Sequence, residues 1–181
     1  MLDERNNVTP NKRIVQSAFA LLRGEINAEP DEPGLCLALV RVVLEHAFWN
    51  GRWALYDRHR THVVERASAD ASPWARDLER SLTRQGMALD LPRRPFEGDA
   101  TRHVDLSAAA DRLIPGDLLF RWDTARNRHG DFVGHVAILM PGDLVLENVA
   151  SRPGALQRGP TTLSRLGAWP VTTVIRFQPK L

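Results

Sequence analysis

The sequence changes character at Pro115-Gly116, and this change limits the folds that the chain can adopt. Before it, apolar residues recur at helical spacing in residues 14–22, 35–49 and 72–86. After it, short apolar runs bounded by glycine and proline predict strands at 118–120, 136–140, 144–149 and 171–177. Helices that precede antiparallel strands, without regular alternation, predict an α+β fold.

The length of the chain fits this arrangement in one domain. The chain has 181 residues, so residues 1–181 are assigned to one domain. Within it, residues 1–13 are the segment for which a flexible conformation is considered. Residues 91–103 contain prolines and a glycine without periodicity, and they predict a surface excursion. Residues 107–112 predict a short helix.

Charge and motif content argue against several function classes. Lys and Arg number 24 against 22 Asp and Glu, so an arginine-rich nucleic-acid binder is the weakest alternative. No glycine-rich phosphate loop or paired metal-ligand spacing is seen, so no cofactor and no metal are expected. The first residues lack the pattern of a secretory signal, and no apolar run approaches the roughly 18 to 20 residues of a membrane span. We expect no membrane insertion, a cytoplasmic location by default and a monomer.

Cys36 is the only cysteine, and it falls in the first turn of the helix predicted for 35–49. A free cysteine in a buried stripe is commonly a small core residue. At a helix N-terminus, however, the positive helix end and free backbone N–H groups stabilise a thiolate and can receive an oxyanion. An inert role and a nucleophilic role both stay open for Cys36.

Among the six histidines, His135 is the best candidate for a general base. It opens the apolar run 136–140, so a stiff strand fixes the direction of its imidazole. The alternative is a structural histidine at a strand end, whose ring nitrogens are hydrogen-bonded within the protein. His59 and His62, with Asp57, resemble metal ligands, but no second ligand pair follows, so a solvated surface is the better interpretation.

Three blocks of sequence follow one another in the chain. They are Gly34-Leu35-Cys36-Leu37-Ala38-Leu39-Val40, Pro115-Gly116-Asp117-Leu118-Leu119-Phe120 and Gly134-His135-Val136-Ala137-Ile138. In order and separation they resemble the NlpC-type branch of the papain-like cysteine peptidase superfamily. Residues 147–152 and 169–177 also look like phage-associated members, so the resemblance covers most of the chain from Cys36 to Phe177.

The resemblance implies both a fold and an activity. The fold is papain-like and NlpC-type, in which N-terminal helices pack on a C-terminal antiparallel β-sheet and one helix presents the nucleophile. The activity is that of a bacterial or phage cell-wall endopeptidase or amidase, with Cys36 as nucleophile and His135 as base. Its partner is a peptide or peptidoglycan fragment. Because that substrate lies outside the cytoplasm, the enzyme hypothesis brings with it a phage association or a non-classical export route.

The family orients its histidine with a third polar residue, and turn geometry selects a candidate here. Residues 140–143, Met-Pro-Gly-Asp, predict a type II turn whose two ends are paired. Continuing that register sets His135 opposite Asn148, and directly opposed residues share a face of the sheet. One extra residue in the turn would shift the register and bring Glu147 inward instead. Asn148 is the predicted third residue, with Glu147 in reserve.

Two features depart from the family pattern. Leu35 and Leu37 flank the cysteine where the family usually has Asp and Ser, which makes a low thiolate pKa harder to achieve. The only tyrosine, Tyr56, follows the helix, whereas the family often has one before the nucleophile to bind the oxyanion. The backbone N–H of Cys36 is one expected oxyanion donor. A catalytically inactive binding or structural domain on the same scaffold is therefore the alternative to an enzyme.

Three arginines, Arg121, Arg128 and Arg152, lie near the ends of the strands predicted to carry the site. They could meet the carboxylates of a substrate, and solvated arginines explain them equally well. Their role stays open.

Overall fold

Helices come first and antiparallel strands second, which confirms the α+β class. The computed structural model describes residues 8–26, 36–48, 74–96, 99–123, 133–142, 144–147, 159–162 and 171–177. Its helices are α1 (Pro10–Leu22), α2 (Cys36–Phe48), α3 (Trp74–Arg84) and a short 3-10 helix (Ala110–Arg112). Its strands are β1 (Arg93–Phe96), β2 (Asp99–Val104), β3 (Leu118–Asp123), β4 (Val133–Met140), β5 (Leu144–Glu147), β6 (Gly159–Thr162) and β7 (Val171–Ile175). Across these ranges, no helix combines the length and the apolar character that a membrane span requires.

The main sheet has five strands in the order β6-β5-β4-β3-β7, and all neighbours are antiparallel. Side chains alternate between its two faces, as strand geometry requires. One set packs in a core with α1, α2 and α3: Leu118, Phe120, Val136, Ile138, Met140 and Leu146. The other set packs with Leu91, Val104 and Ala109: Leu119, Ala137, Leu139 and Val145. The sheet is therefore covered on both faces.

Helix α2 is apolar around most of its circumference because it lies between α1 and the sheet. Its buried apolar residues are Cys36, Leu37, Leu39, Val40, Val43, Leu44 and Phe48. Full burial of each such large side chain contributes about 1.5 to 3 kcal/mol. This packing holds the first turn of α2, where Cys36 lies, firmly against β4.

Helix α1 begins four residues earlier than its apolar pattern predicts. The Thr9 side chain accepts a hydrogen bond from the Lys12 N–H at 3.4 Å, and Pro10 takes the first helical position. A capped helix therefore contains residues 10–13 of the segment that the sequence left open to flexibility. Residues 1–7 lie outside the described residues.

Asn11, Asp117 and Arg176 form a polar cluster around the buried Asp117 carboxylate, here called the Asp117 anchor, which joins α1 to the start of β3. Asn11 Nδ2 donates to Asp117 Oδ1 at 2.9 Å, and Arg176 donates to both carboxylate oxygens at 2.8 and 2.7 Å. Gly116 has φ +94°, and a Cβ there would lie 2.5 Å from the Asn11 carbonyl oxygen. Only glycine lets α1 approach this closely.

Three segments differ from the sequence prediction in their secondary structure. The predicted surface excursion at 91–103 contains an antiparallel pair, β1 with β2. Pro95 is tolerated there because each strand of a two-stranded sheet has an edge free of ladder bonds. Strand β6 was not predicted, and residues 107–112 form turns followed by the 3-10 helix at 110–112.

The β4–β5 hairpin has a different register from the predicted one. Met140 pairs with Leu144 and Ile138 with Leu146, so the loop contains one residue more than the type II turn allows. Gly142 does have the positive φ (74°) that the turn requires. The predicted register is thus wrong by one residue, and Glu147 takes the side of the sheet on which His135 lies.

Candidate active site

Cys36 is the first residue of α2, as predicted, and 8% of its surface is exposed. Its sulfur accepts hydrogen bonds from the backbone N–H groups of Leu37 and Val136, and it is hydrogen-bonded to the His135 side chain. The Leu37 amide is free for this contact because the first N–H groups of a helix have no partner within the helix. The Val136 amide belongs to β4, so one thiol contacts both the helix and the sheet.

His135 links the thiol to a carboxylate. Its Nε2 lies 2.8 Å from Glu147 Oε2, and its side chain is also hydrogen-bonded to Cys36. The His135 side chain is 12% exposed and that of Glu147 is 5% exposed. The imidazole is therefore held between two partners in largely desolvated surroundings, which fixes its orientation.

Strand pairing explains why these side chains meet. Arg121 on β3 lies directly opposite His135 on β4, so the two share a face of the sheet. The β4–β5 register aligns Glu147 with Ala137, two residues from His135 on that same face. Three adjacent strands thus present one polar side chain each to one place.

Arg121 completes this group through a contact with Glu147. Its Nη2 donates to Glu147 Oε2, the oxygen that His135 also contacts. Both side chains of this ion pair are about 5% exposed. A buried charge without a partner is costly, so the guanidinium and the carboxylate each need the other at this depth.

Local electrostatics favours charge separation between the thiol and the imidazole. Burial raises the pKa of the Cys36 thiol, but the hydrogen bond and charge of His135 and the two backbone N–H groups outweigh it, so the pKa is lowered. Burial lowers the pKa of His135, but contacts with Cys36 and Glu147 outweigh it, so the pKa is raised. Both shifts favour a thiolate beside an imidazolium.

Burial also acts on Arg121, whose pKa is lowered by desolvation against the opposing effects of Glu147 and Cys36. Glu147 raises the Arg121 pKa through both its charge and its hydrogen bond, and the Cys36 thiolate acts in the same direction through its charge. The pKa of Arg121 therefore depends on the charge of Cys36 as well as on that of its ion-pair partner, Glu147.

The structure brings together Cys36, His135 and Glu147. Glu147 occupies the position that the sequence prediction assigned first to Asn148, because the hairpin loop is one residue longer. Asn148 itself lies outside the described residues. The same holds for six further residues considered from the sequence: Tyr56, Asp57, His59, His62, Arg128 and Arg152.

Sequence reasoning named Arg121 only as a residue that could meet a substrate carboxylate. Instead its guanidinium is buried against Glu147 within the protein. The signal for this was a charged residue inside the apolar run of β3, which requires an internal partner when the strand is buried on both faces. Its partner could not be identified without the register of β5.

No protein-family model, curated protein or solved structure matches this chain. Within the described part of the chain, no group of three or more His, Cys, Asp or Glu side chains could hold a metal ion.

Proposed function

We propose that this protein is a cysteine hydrolase with a papain-like, NlpC-type fold that cleaves a peptide or amide bond in the peptide part of bacterial peptidoglycan. The observation that carries the proposal is the hydrogen-bonded series Cys36, His135 and Glu147, which begins in the first turn of α2. A thiol, a base and a residue that orients the base are the parts that nucleophilic acyl transfer requires.

The reaction proceeds in two steps. His135 holds the proton from Cys36, and the thiolate attacks the carbonyl carbon of the substrate. The proton passes from His135 to the leaving amine as the carbon–nitrogen bond breaks, which leaves a thioester on Cys36. His135 then takes a proton from water, the resulting hydroxide breaks the thioester, and the proton returns to the thiol. The backbone N–H of Cys36 is one donor to the oxyanion.

The lowered pKa of Cys36 supports this proposal against the departures from the family pattern. Leu37 beside the nucleophile contributes an apolar side chain to the core, and this burial opposes ionisation. Its backbone N–H acts in the other direction, since it donates to the sulfur. Activation of the thiol thus depends on backbone donors and on His135, rather than on polar neighbours in the sequence.

The substrate class comes from the resemblance of the three sequence blocks to NlpC-type peptidases. Its test is incubation of the purified protein with peptidoglycan fragments, followed by mass spectrometry of new amine termini. The wild-type protein is expected to release products that Cys36→Ala does not. Arg176→Met is the matched control, because it alters a partly buried ion pair at the other end of β3 and changes none of the site residues. Identical product profiles for wild type and Cys36→Ala would exclude the proposed cysteine hydrolase activity.

A non-catalytic binding domain on the same scaffold is the second candidate, and the small exposure of Cys36 (8%) favours it. The rate of Cys36 alkylation by iodoacetamide distinguishes the two, and the chain has no other cysteine to confuse the measurement. If the protein is an enzyme, Cys36 is expected to be alkylated rapidly already below about pH 7. An inert thiol is expected to be alkylated only as the pH approaches about 8.5.

A further inference from the structure

Four ionisable side chains face one another at the site, each from a different element. Cys36 comes from α2, Arg121 from β3, His135 from β4 and Glu147 from β5. As thiolate, guanidinium, imidazolium and carboxylate, their charges sum to zero. Without Arg121, the group would carry a net negative charge beside the thiolate, and such charge is poorly screened in a buried site.

One carboxylate oxygen connects two of these groups. Glu147 Oε2 accepts from Arg121 Nη2 and also lies 2.8 Å from His135 Nε2. A guanidinium bound to a carboxylate fixes its direction and keeps it ionised. The placement of Glu147 against the imidazole therefore depends on Arg121, which lies directly opposite His135 in the sheet.

We propose that Arg121 is a positioning residue, which holds Glu147 as a carboxylate against His135 and keeps the site proton on the imidazole in a transferable state. This inference rests on the proposed function, since it concerns the proton that His135 gives to the leaving amine. Arg121 acts through Glu147, which it contacts, and through its charge.

The electrostatics of His135 agrees with this role. Contacts with Cys36 and Glu147 raise the pKa of His135, whereas the charge of Arg121 lowers it. A proton held too firmly on the imidazole is slow to reach the leaving group, and an efficient general acid has a pKa near the working pH. Arg121 therefore offsets part of the effect of the carboxylate that it positions.

Two titrations test the proposal in the intact protein. The ultraviolet absorbance of the thiolate, taken as the difference between wild type and Cys36→Ala, follows the only cysteine as the pH is varied. The proton NMR signal of the His135 ring, assigned by its loss in His135→Gln, follows the imidazole. Because the thiol and the imidazole interact, the two midpoints belong to the pair.

Arg121→Met is expected to move the thiolate midpoint upward by about one pH unit, because a nearby positive charge favours the thiolate. The His135 midpoint is expected to fall, because Glu147 without its guanidinium partner no longer stabilises the imidazolium, and the contact with Glu147 affects the pKa of His135 more than the charge of Arg121 does. Arg121→Lys keeps the charge and is expected to hold both midpoints close to those of wild type. Arg176→Met is the matched control, since it removes an arginine from the Asp117 anchor, and it is expected to move neither midpoint.

Unchanged midpoints in folded Arg121→Met would overturn the proposal and leave Arg121 a structural role alone. If that variant does not fold, Glu147→Gln is compared with the double variant Arg121→Met/Glu147→Gln, in which no unpaired buried charge remains. Equal thiolate midpoints in these two proteins would show that the charge of Arg121 does not act on the site, and they would overturn the proposal as well. A wild-type thiolate midpoint near the ordinary value of about 8.5 would instead contradict the proposed function, so the two failures differ.

Discussion

Strand β3 has an arginine–carboxylate pair with a buried carboxylate near each of its ends, and the two pairs differ in their third partner. Asp117 precedes the strand, and Arg121 lies four residues further on, roughly 13 Å away. The Asp117 carboxylate binds Arg176, Asn11 and the Ile114 N–H, all donors that keep their protons near neutral pH. The Glu147 carboxylate binds Arg121 and His135, and the imidazole can exchange its proton with Cys36. Under the proposed function, the first ion pair serves structure and the second serves chemistry, because only the second shares its carboxylate with a titratable group.

The largest effect is expected for the loss of the base. His135→Ala removes the proton acceptor of Cys36, so turnover of a peptidoglycan fragment should fall by about 10³- to 10⁴-fold, measured as kcat/KM by mass spectrometry. The fold should persist, because His135 lies at the edge of the core. A loss smaller than about tenfold would show that the imidazole takes no part in the reaction.

Asp117→Ala tests the structural end of β3. The substitution leaves Arg176 and the Ile114 N–H without their carboxylate, so the free energy of unfolding should fall by about 3 to 5 kcal/mol, measured by urea denaturation. At temperatures where the variant is folded, the thiolate titration of Cys36 should match that of wild type. A shifted titration would show that the two ends of β3 are coupled.

Glu147→Gln tests the other end of β3, where Glu147 binds Arg121. Glutamine has a shape similar to that of glutamate and no charge. The pKa of His135 is raised by its bond to Glu147 as well as by Cys36, so this substitution should move the His135 midpoint downward. Turnover should fall by about 10²-fold, less than for loss of the base itself. An NMR titration of His135 that stays unchanged in this variant would contradict the assigned role of the carboxylate.

The smallest effect concerns the pH dependence of stability. Because the folded pKa of Cys36 is lowered, its contribution is present above the unfolded thiol value and is lost as the pH falls through the folded pKa. Because the folded pKa of His135 is raised, its contribution is present below the unfolded imidazole value and is lost as the pH rises through the folded pKa. The stability difference between wild type and Cys36→Ala/His135→Gln should therefore be greatest near neutral pH.

Urea denaturation of both proteins at about pH 5, 7.5 and 10 measures this difference. Arg176→Met serves as a control for the loss of an unrelated side chain, because it keeps both Cys36 and His135. A difference that is constant from acid to alkaline pH would show that the thiol and the imidazole do not form an ion pair in the folded protein.

Local patterns in the sequence were sufficient to predict the helix that contains Cys36 and the strand that contains His135. Helical spacing placed Cys36 in the first turn of α2, and the apolar run after Gly134 placed His135 on a strand, because both signals depend on residues a few positions apart. The α+β class followed from the order of these patterns. The hairpin of β1 and β2 was missed, because Pro95 on an edge strand has the same local signal as a loop.

The sequence by itself determined which residues could act as nucleophile and base, and only the tertiary structure decided what surrounds them. The choice between Asn148 and Glu147 depended on a single residue in the β4–β5 loop, whose alternative lengths fit the local sequence equally well. The role of Arg121 depended on a carboxylate 26 positions away in the chain. Both are set by strand register, which the packing of the whole sheet fixes and no short segment encodes.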